Sequence, residues 1–161
     1  MNAPPAPSVL PDRGFLSQPW EGHTARLASR RLRLSVAVIS AHGHIDASNA
    51  DTLTQYTLGH LMRCRGLILD LRDLDFFGTE GFSALHRVSV RCARAGLGWV
   101  VVPGAEVWRL LRICDPHGSL PAASTLDSAM AIVQDQPHRR PQPIGAAGTP
   151  DNPRNANARC A

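Results

Sequence analysis

Two short runs, Gly66-Leu67-Ile68-Leu69-Asp70-Leu71 and Trp99-Val100-Val101-Val102, are almost continuously apolar and flank one amphipathic stretch of helical length. A strand with one wet face alternates polar and apolar residues, whereas a strand apolar throughout needs cover on both faces. Between the two runs, segment 80–95 places Phe82, Leu85, Val88 or Ser89, Cys92 and Ala95 at helical spacing. Ser83, Arg87, Arg91 and Arg94 fall mostly on the other side. Strand, crossover helix and strand make a parallel pair. That unit commits the chain to an α/β fold with helices layered on a sheet.

The rest of the pattern extends the same architecture. Residues 31–35 alternate polar and apolar, Val36-Ala37-Val38-Ile39 continues the β character, and Gly43-His44-Ile45-Asp46 ends it. A helix is expected over 47–63, with Leu53, Tyr56, Leu61 and Met62 as its buried stripe and Asp46, Ser48 or Asn49 as its cap. Gly96 stops the next helix, since glycine takes the left-handed conformation without a β-carbon penalty. Pro103-Gly104 breaks the second apolar run, and a short helix over 105–114 turns Val107, Leu110 and Leu111 inward. Ser119-Leu120-Pro121 reads as a brief last strand and 125–134 as a last helix, capped by Ser124 or Thr125. The order β-β-α-β-α-β-α-(β)-α predicts a mixed, mostly parallel sheet of four to five strands under about four helices. The initial hairpin sits at its edge, where an unpaired strand offers a weak homodimer contact.

Length and charge narrow the partners. The chain has 161 residues, a one-domain length, and is 43% hydrophobic, enough for a core. The domain is expected over 29–136. The segments 1–28 and 137–161 are rich in Pro, Gly, Ala and other small or polar residues, lack periodicity, and read as flexible extensions. Within the first, Phe15, Leu16 and Trp20 are isolated apolar groups suited to docking. Ser8, Ser17, Thr24 and Thr149 are ordinary hydroxyls that nothing marks out as modification targets. No apolar run approaches the roughly 20 residues of a bilayer span, and the start lacks the features of a secretory signal. A cytoplasmic protein without a membrane role is expected. The formal charge of +4 rests entirely on Arg, but 30–134 hold eleven Arg against nine acidic residues, so direct nucleic-acid binding is not expected. Cys64, Cys92, Cys114 and Cys160 are widely spaced and imply no disulfide framework.

Catalytic and ligand constellations are thin. His44, Asp46 and Ser48, or His86 with Thr79, supply the residue types of a nucleophile and base, but the chain has no Gly-x-Ser-x-Gly elbow. Cys114-Asp115-Pro116-His117 lacks a second ligand pair, and His42 with His44 makes only two ligands. Gly78-Thr79-Glu80-Gly81 lacks the Lys of a phosphate loop. No enzyme activity, metal or cofactor is therefore expected. Arg87, Arg91 and Arg94 form a basic stripe, either a solvated face or a docking surface for an acidic partner.

Three segments together resemble the STAS domain family. Gly43-His44-Ile45-Asp46-Ala47-Ser48-Asn49-Ala50 is similar to the Gly-x-hydrophobic-Asp end of its second strand. Leu67-Ile68-Leu69-Asp70-Leu71-Arg72-Asp73-Leu74-Asp75-Phe76 resembles its central strand. Phe77-Gly78-Thr79-Glu80-Gly81-Phe82-Ser83-Ala84-Leu85 occupies the place of its Asp-Ser-x-Gly-hydrophobic-x-x-Leu segment. The resemblance, closest in kind to anti-sigma factor antagonists, implies a non-enzymatic regulator of sigma-factor-dependent transcription in stress signalling. Its implied partner is an anti-sigma factor of the histidine-kinase-like ATPase fold, and its implied phosphoacceptor is Thr79. The implied partner surface is Asp46, Phe76, Phe77, Gly78, Thr79, Glu80, Phe82, Ser83 and His86. Gly78 stands where the family pattern has Asp, and Glu80 where it has a small residue. The other reading is a phosphorylation-independent scaffold or a small-ligand or nucleotide sensor. On physical grounds Thr79 begins a helix between two glycines, where its hydroxyl is expected to cap the first turn, with or without a regulatory phosphate.

Overall fold

The computed structural model describes residues 17–136. Five strands lie side by side in chain order: β1 (Trp20–Glu21), β2 (Ala25–Leu32), β3 (Val36–Ile45), β4 (Gly66–Phe77) and β5 (Gly98–Pro103). β1, β2 and β3 pair antiparallel, while β3, β4 and β5 pair parallel. The parallel pairs are joined through α1 (Ala50–Leu58) and α2 (Thr79–Ala95), and α3 (Ala105–Cys114) and α4 (Leu126–Asp135) follow.

Both faces of the sheet are covered, which explains the continuous apolar runs. Leu67, Leu69 and Leu71 point into the larger core cluster with Ala37, Ile39, Leu53, Leu85, Val88 and Val107. Ile68, Val100 and Val102 point the other way, against Ala129 and Val133 of α4. α2 buries Gly81, Ala84, Leu85, Val88 and Cys92, one stripe of a 3.6-residue period, and ends on Gly96 at φ 63°. Ala95, expected on that stripe, is exposed in the last turn. Thr125 caps α4 by accepting the Ser128 amide at 3.1 Å.

Three expectations need correction. The helix predicted over 47–63 stops at Leu58; Gly59, a poor helix former, is followed by a separate 3-10 turn at Leu61–Arg63 that redirects the chain into β4. Met62 is consequently 94% exposed rather than part of a buried stripe. The brief strand at Ser119-Leu120-Pro121 is reduced to one parallel bridge between Val101 and Ala122. The amides of Ser119 and Leu120 are instead taken by the Asp115 carboxylate, each at 2.8 Å, and cannot pair with β5. The sheet also begins well before residue 29: Ala25 and Leu27 of β2 are core residues. Ser17 is tied to the same face, its amide donating to Ser29 Oγ and its hydroxyl 3.0 Å from His60 Nε2. Residues 1–16 and 137–161, with Ser8, Phe15, Leu16, Thr149 and Cys160, lie outside the described residues. Among the described residues no helix is long and apolar enough to cross a membrane.

Candidate functional site at the carboxyl ends of β3 and β4

The parallel strands β3 and β4 end together, and the residues singled out in the sequence gather there. Two register shifts, between Ser40 and His42 and between Gly43 and His44, each oppose an extra residue of β4 to β3. Bulges of this kind re-aim side chains at strand ends. Here Asp75 and Phe76 are both exposed in succession, and Phe77 alone returns to the core. Phe76 is 46% exposed and its ring lies 6.1 Å from that of His44, centroid to centroid.

The turn after β3 is built around two side chains. Asp46 Oδ1 accepts the Ser48 amide at 2.8 Å and the Ser48 hydroxyl at 2.5 Å. These two bonds, the hydroxyl's first, hold the Asp46 carboxyl below its ordinary pKa. Asn49 is buried and stitches the turn from beneath. Its Oδ1 accepts the Asp46 amide, and its Nδ2 donates to the His44 carbonyl at 2.8 Å and to Thr24 Oγ1 at 3.2 Å. Asn49 stands at the N-cap position of α1 without making a side-chain cap bond, so it positions the site instead of capping. The sequence offered Asn49 only as one of three cap candidates for α1.

α2 starts next to this turn. The Gly78 amide donates to the Ile45 carbonyl at 2.9 Å, joining the start of α2 to the end of β3. Gly78 is the N-cap and, lacking a side chain, gives no cap bond. Thr79 is therefore not the cap that the sequence led one to expect. It is the first helical residue, exposed, with its hydroxyl donating to Glu80 Oε2 at 3.3 Å. The backbone at Gly78 is ordinary, at φ −86°, so the glycine is not required by its conformation. Gly81 is required by space: a β-carbon there would come within 2.5 Å of the Phe77 ring. Phe77 and Gly81 thus interlock and seat the first turn of α2 on the core.

Of the nine residues proposed for a partner surface, Phe76, Thr79, Glu80, Ser83 and His86 are exposed, and Asp46 and Gly78 partly so. Phe82 is half-buried against the larger core cluster. Phe77 is only 5% exposed and cannot meet a partner. The sequence reasoning left out of the partner surface Asp75, the chain neighbour of Phe76, and His44, which only the bulges set opposite Phe76.

The nucleophile–base arrangements are not formed. The Ser48 hydroxyl serves Asp46, with no bond to His44, and that of Thr79 serves Glu80. His86 lies seven residues along α2 from Thr79, about 10 Å at helical rise. No three His, Cys, Asp or Glu side chains among the described residues are grouped so as to hold a metal ion. Cys64, Cys92 and Cys114 are free thiols.

Comparison with known proteins agrees with this geometry. Residues 29–129 match the STAS domain family model. The chain is 30% identical over 109 residues to osmosensory protein A of Mycobacterium tuberculosis, covering 65% of this chain and 69% of that one. Its fold superimposes on an anti-sigma factor antagonist from Mycobacterium paratuberculosis with a TM-score of 0.59 at 24% identity, over 70% of this chain and 96% of that one. RsbS of Moorella thermoacetica follows at 0.56 and 15% identity, over 67% and 94%. The match to the family model spans most of the chain, and the fold is that of the solved relatives: the chain belongs to the STAS domain family.

Proposed function

We propose that this chain is an anti-sigma factor antagonist that binds an anti-sigma factor of the histidine-kinase-like ATPase fold and is switched by phosphorylation of Thr79. The carrying observation is the exposed Thr79 hydroxyl on the first turn of α2, beside the exposed Phe76 ring. The apolar ring gives a partner something to bury, and the hydroxyl lies inside the area such a partner would cover. A phosphate adds about −1.5 to −2 charges at neutral pH. It would join the carboxylates of Asp46, Asp75 and Glu80 at the same end of the sheet. Arg87, the nearest cation along α2, is already paired with Asp51. A close-fitting partner surface whose contacts around Thr79 are apolar or acidic cannot accommodate that added charge. Contact falls on Asp46, Phe76, Gly78, Thr79, Glu80, Ser83 and His86, with Phe77 and Phe82 as supports from below.

One observation favours a phosphorylation-independent scaffold instead. Gly78 offers no carboxylate beside the hydroxyl, and the hydroxyl already donates to Glu80. One experiment separates the two readings. The protein is incubated with ATP and anti-sigma kinases of its own organism, and intact mass and complex formation are read together. The switch requires one added phosphate on Thr79, a partner kept by Thr79→Ala and a partner lost by Thr79→Glu, by at least about tenfold in Kd, which is about 1.4 kcal/mol. Equal binding by both variants with no added phosphate leaves the scaffold reading. No complex at all removes the antagonist reading.

A further inference from the structure

Charge is divided along the strand axis, and helix dipoles account for only part of the division. α1, α2 and α3 start at the Phe76 end of the sheet, with Asp51, Glu80 and Glu106 in their first turns, and Arg94 and Arg112 fall in the last turns of α2 and α3. Such placement complements the dipoles and needs no further reason. Arg31, Arg33, Arg63 and Arg65 lie outside the α-helices. They sit on the β2–β3 hairpin and the α1–β4 connection, which are bound together by the Arg65 amide donating to the Ser35 carbonyl at 2.8 Å. All four are exposed, and none enters an ion pair among the described residues. Met62, next to Arg63 in the 3-10 turn of the same connection, is 94% exposed. At the other end of β4, roughly 35 Å away at strand rise, the exposed Phe76 shares the strand ends and the start of α2 with Asp46, Asp75 and Glu80; Asp73 lies further back on β4, 3.6 Å from His42.

We infer that the chain associates with copies of itself head to tail: the arginine loops of one copy seat on the carboxylate-rich Phe76 end of the next, with Met62 against Phe76. Each end carries an exposed apolar side chain and an excess of one sign, the arginine end also holding Asp135 at the close of α4, whose Val133 packs on Gly66. Arg forks pair well with carboxylates, and the methionine sulfur makes favourable contact with an aromatic ring. The chain's own termini are the wrong chemistry for the arginine loops: 137–161 carry four Arg and one Asp, and 1–16 one of each. A polyanion would match the arginines but gives Met62 nothing to bury. The contact joins two different surfaces, so it does not close at a dimer. It holds whether or not the Phe76 end also takes an anti-sigma factor. Where it does, the two occupants compete.

The test is sedimentation of the full chain as a function of concentration and salt. At about 0.01 M salt the weight-average mass climbs with concentration past that of two chains, and at about 1 M, with a screening length of about 3 Å, it returns to that of one chain. Arg63→Glu/Arg65→Glu and Asp75→Arg/Glu80→Arg each abolish association alone. An equimolar mixture of the two restores it, which a misfolded variant could not do. A single-chain mass at low salt overturns the inference, as does a dimer indifferent to salt and to both double variants. So does a mixture that stays monomeric while each component keeps the wild-type circular dichroism. Retention on anionic vesicles or DNA by a chain that remains monomeric assigns the arginine loops to another partner class and equally overturns it.

Discussion

Asp70 sits in the middle of β4, 7% exposed, where a charge can persist only with a partner. The partner is two residues along the same face of the strand: Arg72 donates Nε to Oδ1 and Nη2 to Oδ2, both at 2.8 Å. Burial alone would raise the Asp70 carboxyl. The fork from Arg72, the Arg72 amide, and the charges of Arg72 and Arg30 outweigh it and hold the carboxyl below its ordinary value. A carboxyl depressed in the fold stabilises above its unfolded pKa, and that stability is lost as pH falls through the folded pKa. Asp70→Asn is therefore expected to cost about 1–3 kcal/mol at neutral pH, read from the urea midpoint. The variant should also show a flatter decline than wild type once pH drops below about 3.9. Equal pH profiles would place the acid sensitivity elsewhere. The apolar run that announced β4 concealed this pair, whose only sequence trace is a carboxylate and an arginine spaced two apart.

Elements with large side chains on a strict period were legible, and elements built from small ones were not. α2 announces itself through Leu85, Val88 and Cys92, and β4 and β5 through their branched residues. β2 points Ala25, Leu27 and Ser29 inward, which is a true alternation with too little apolar volume to stand out beside Arg26 and Arg30. The strand was therefore read in part as an extension. A chain starting at residue 30 loses Leu27, 1% exposed, and leaves most of the outer edge of β3 unpaired. Deleting a buried leucine side chain alone costs about 2–5 kcal/mol, a large share of the roughly 5–15 kcal/mol of a typical domain. A chain starting at residue 17 should give a cooperative thermal transition by circular dichroism, and one starting at residue 30 should not. The site was legible to the same degree. Helical spacing put Thr79 at the start of α2, but the pairing of His44 with Phe76 depends on two bulges, and a bulge leaves no periodic mark.

At the scale of the molecule, β4 belongs to both core layers, Leu67, Leu69 and Leu71 to one and Ile68 to the other. Neither layer opens without exposing the strand that carries the other, so the two should unfold together. Cys92 offers a probe of this. It lies in the larger layer on α2, and burial, with a smaller contribution from Cys64, pushes its thiol up to about 12. The thiolate is the reactive form, so the folded protein presents almost none at mildly alkaline pH, while an unfolded chain has the ordinary thiol pKa of about 8.5. Cys114, at the end of α3, is half-exposed and open to reagent. With iodoacetamide at about pH 8, alkylation of Cys92 should run at least about a thousandfold slower than that of Cys114, the factor set by the population of the open state. Added urea should raise the Cys92 rate along the global unfolding curve read by circular dichroism. If peptide mass spectrometry instead finds Cys92 labelled well before that curve rises, α2 leaves the sheet on its own. The surface at Thr79 would then belong to a helix that detaches, and the rigid seating by Phe77 and Gly81 would not describe the protein in solution.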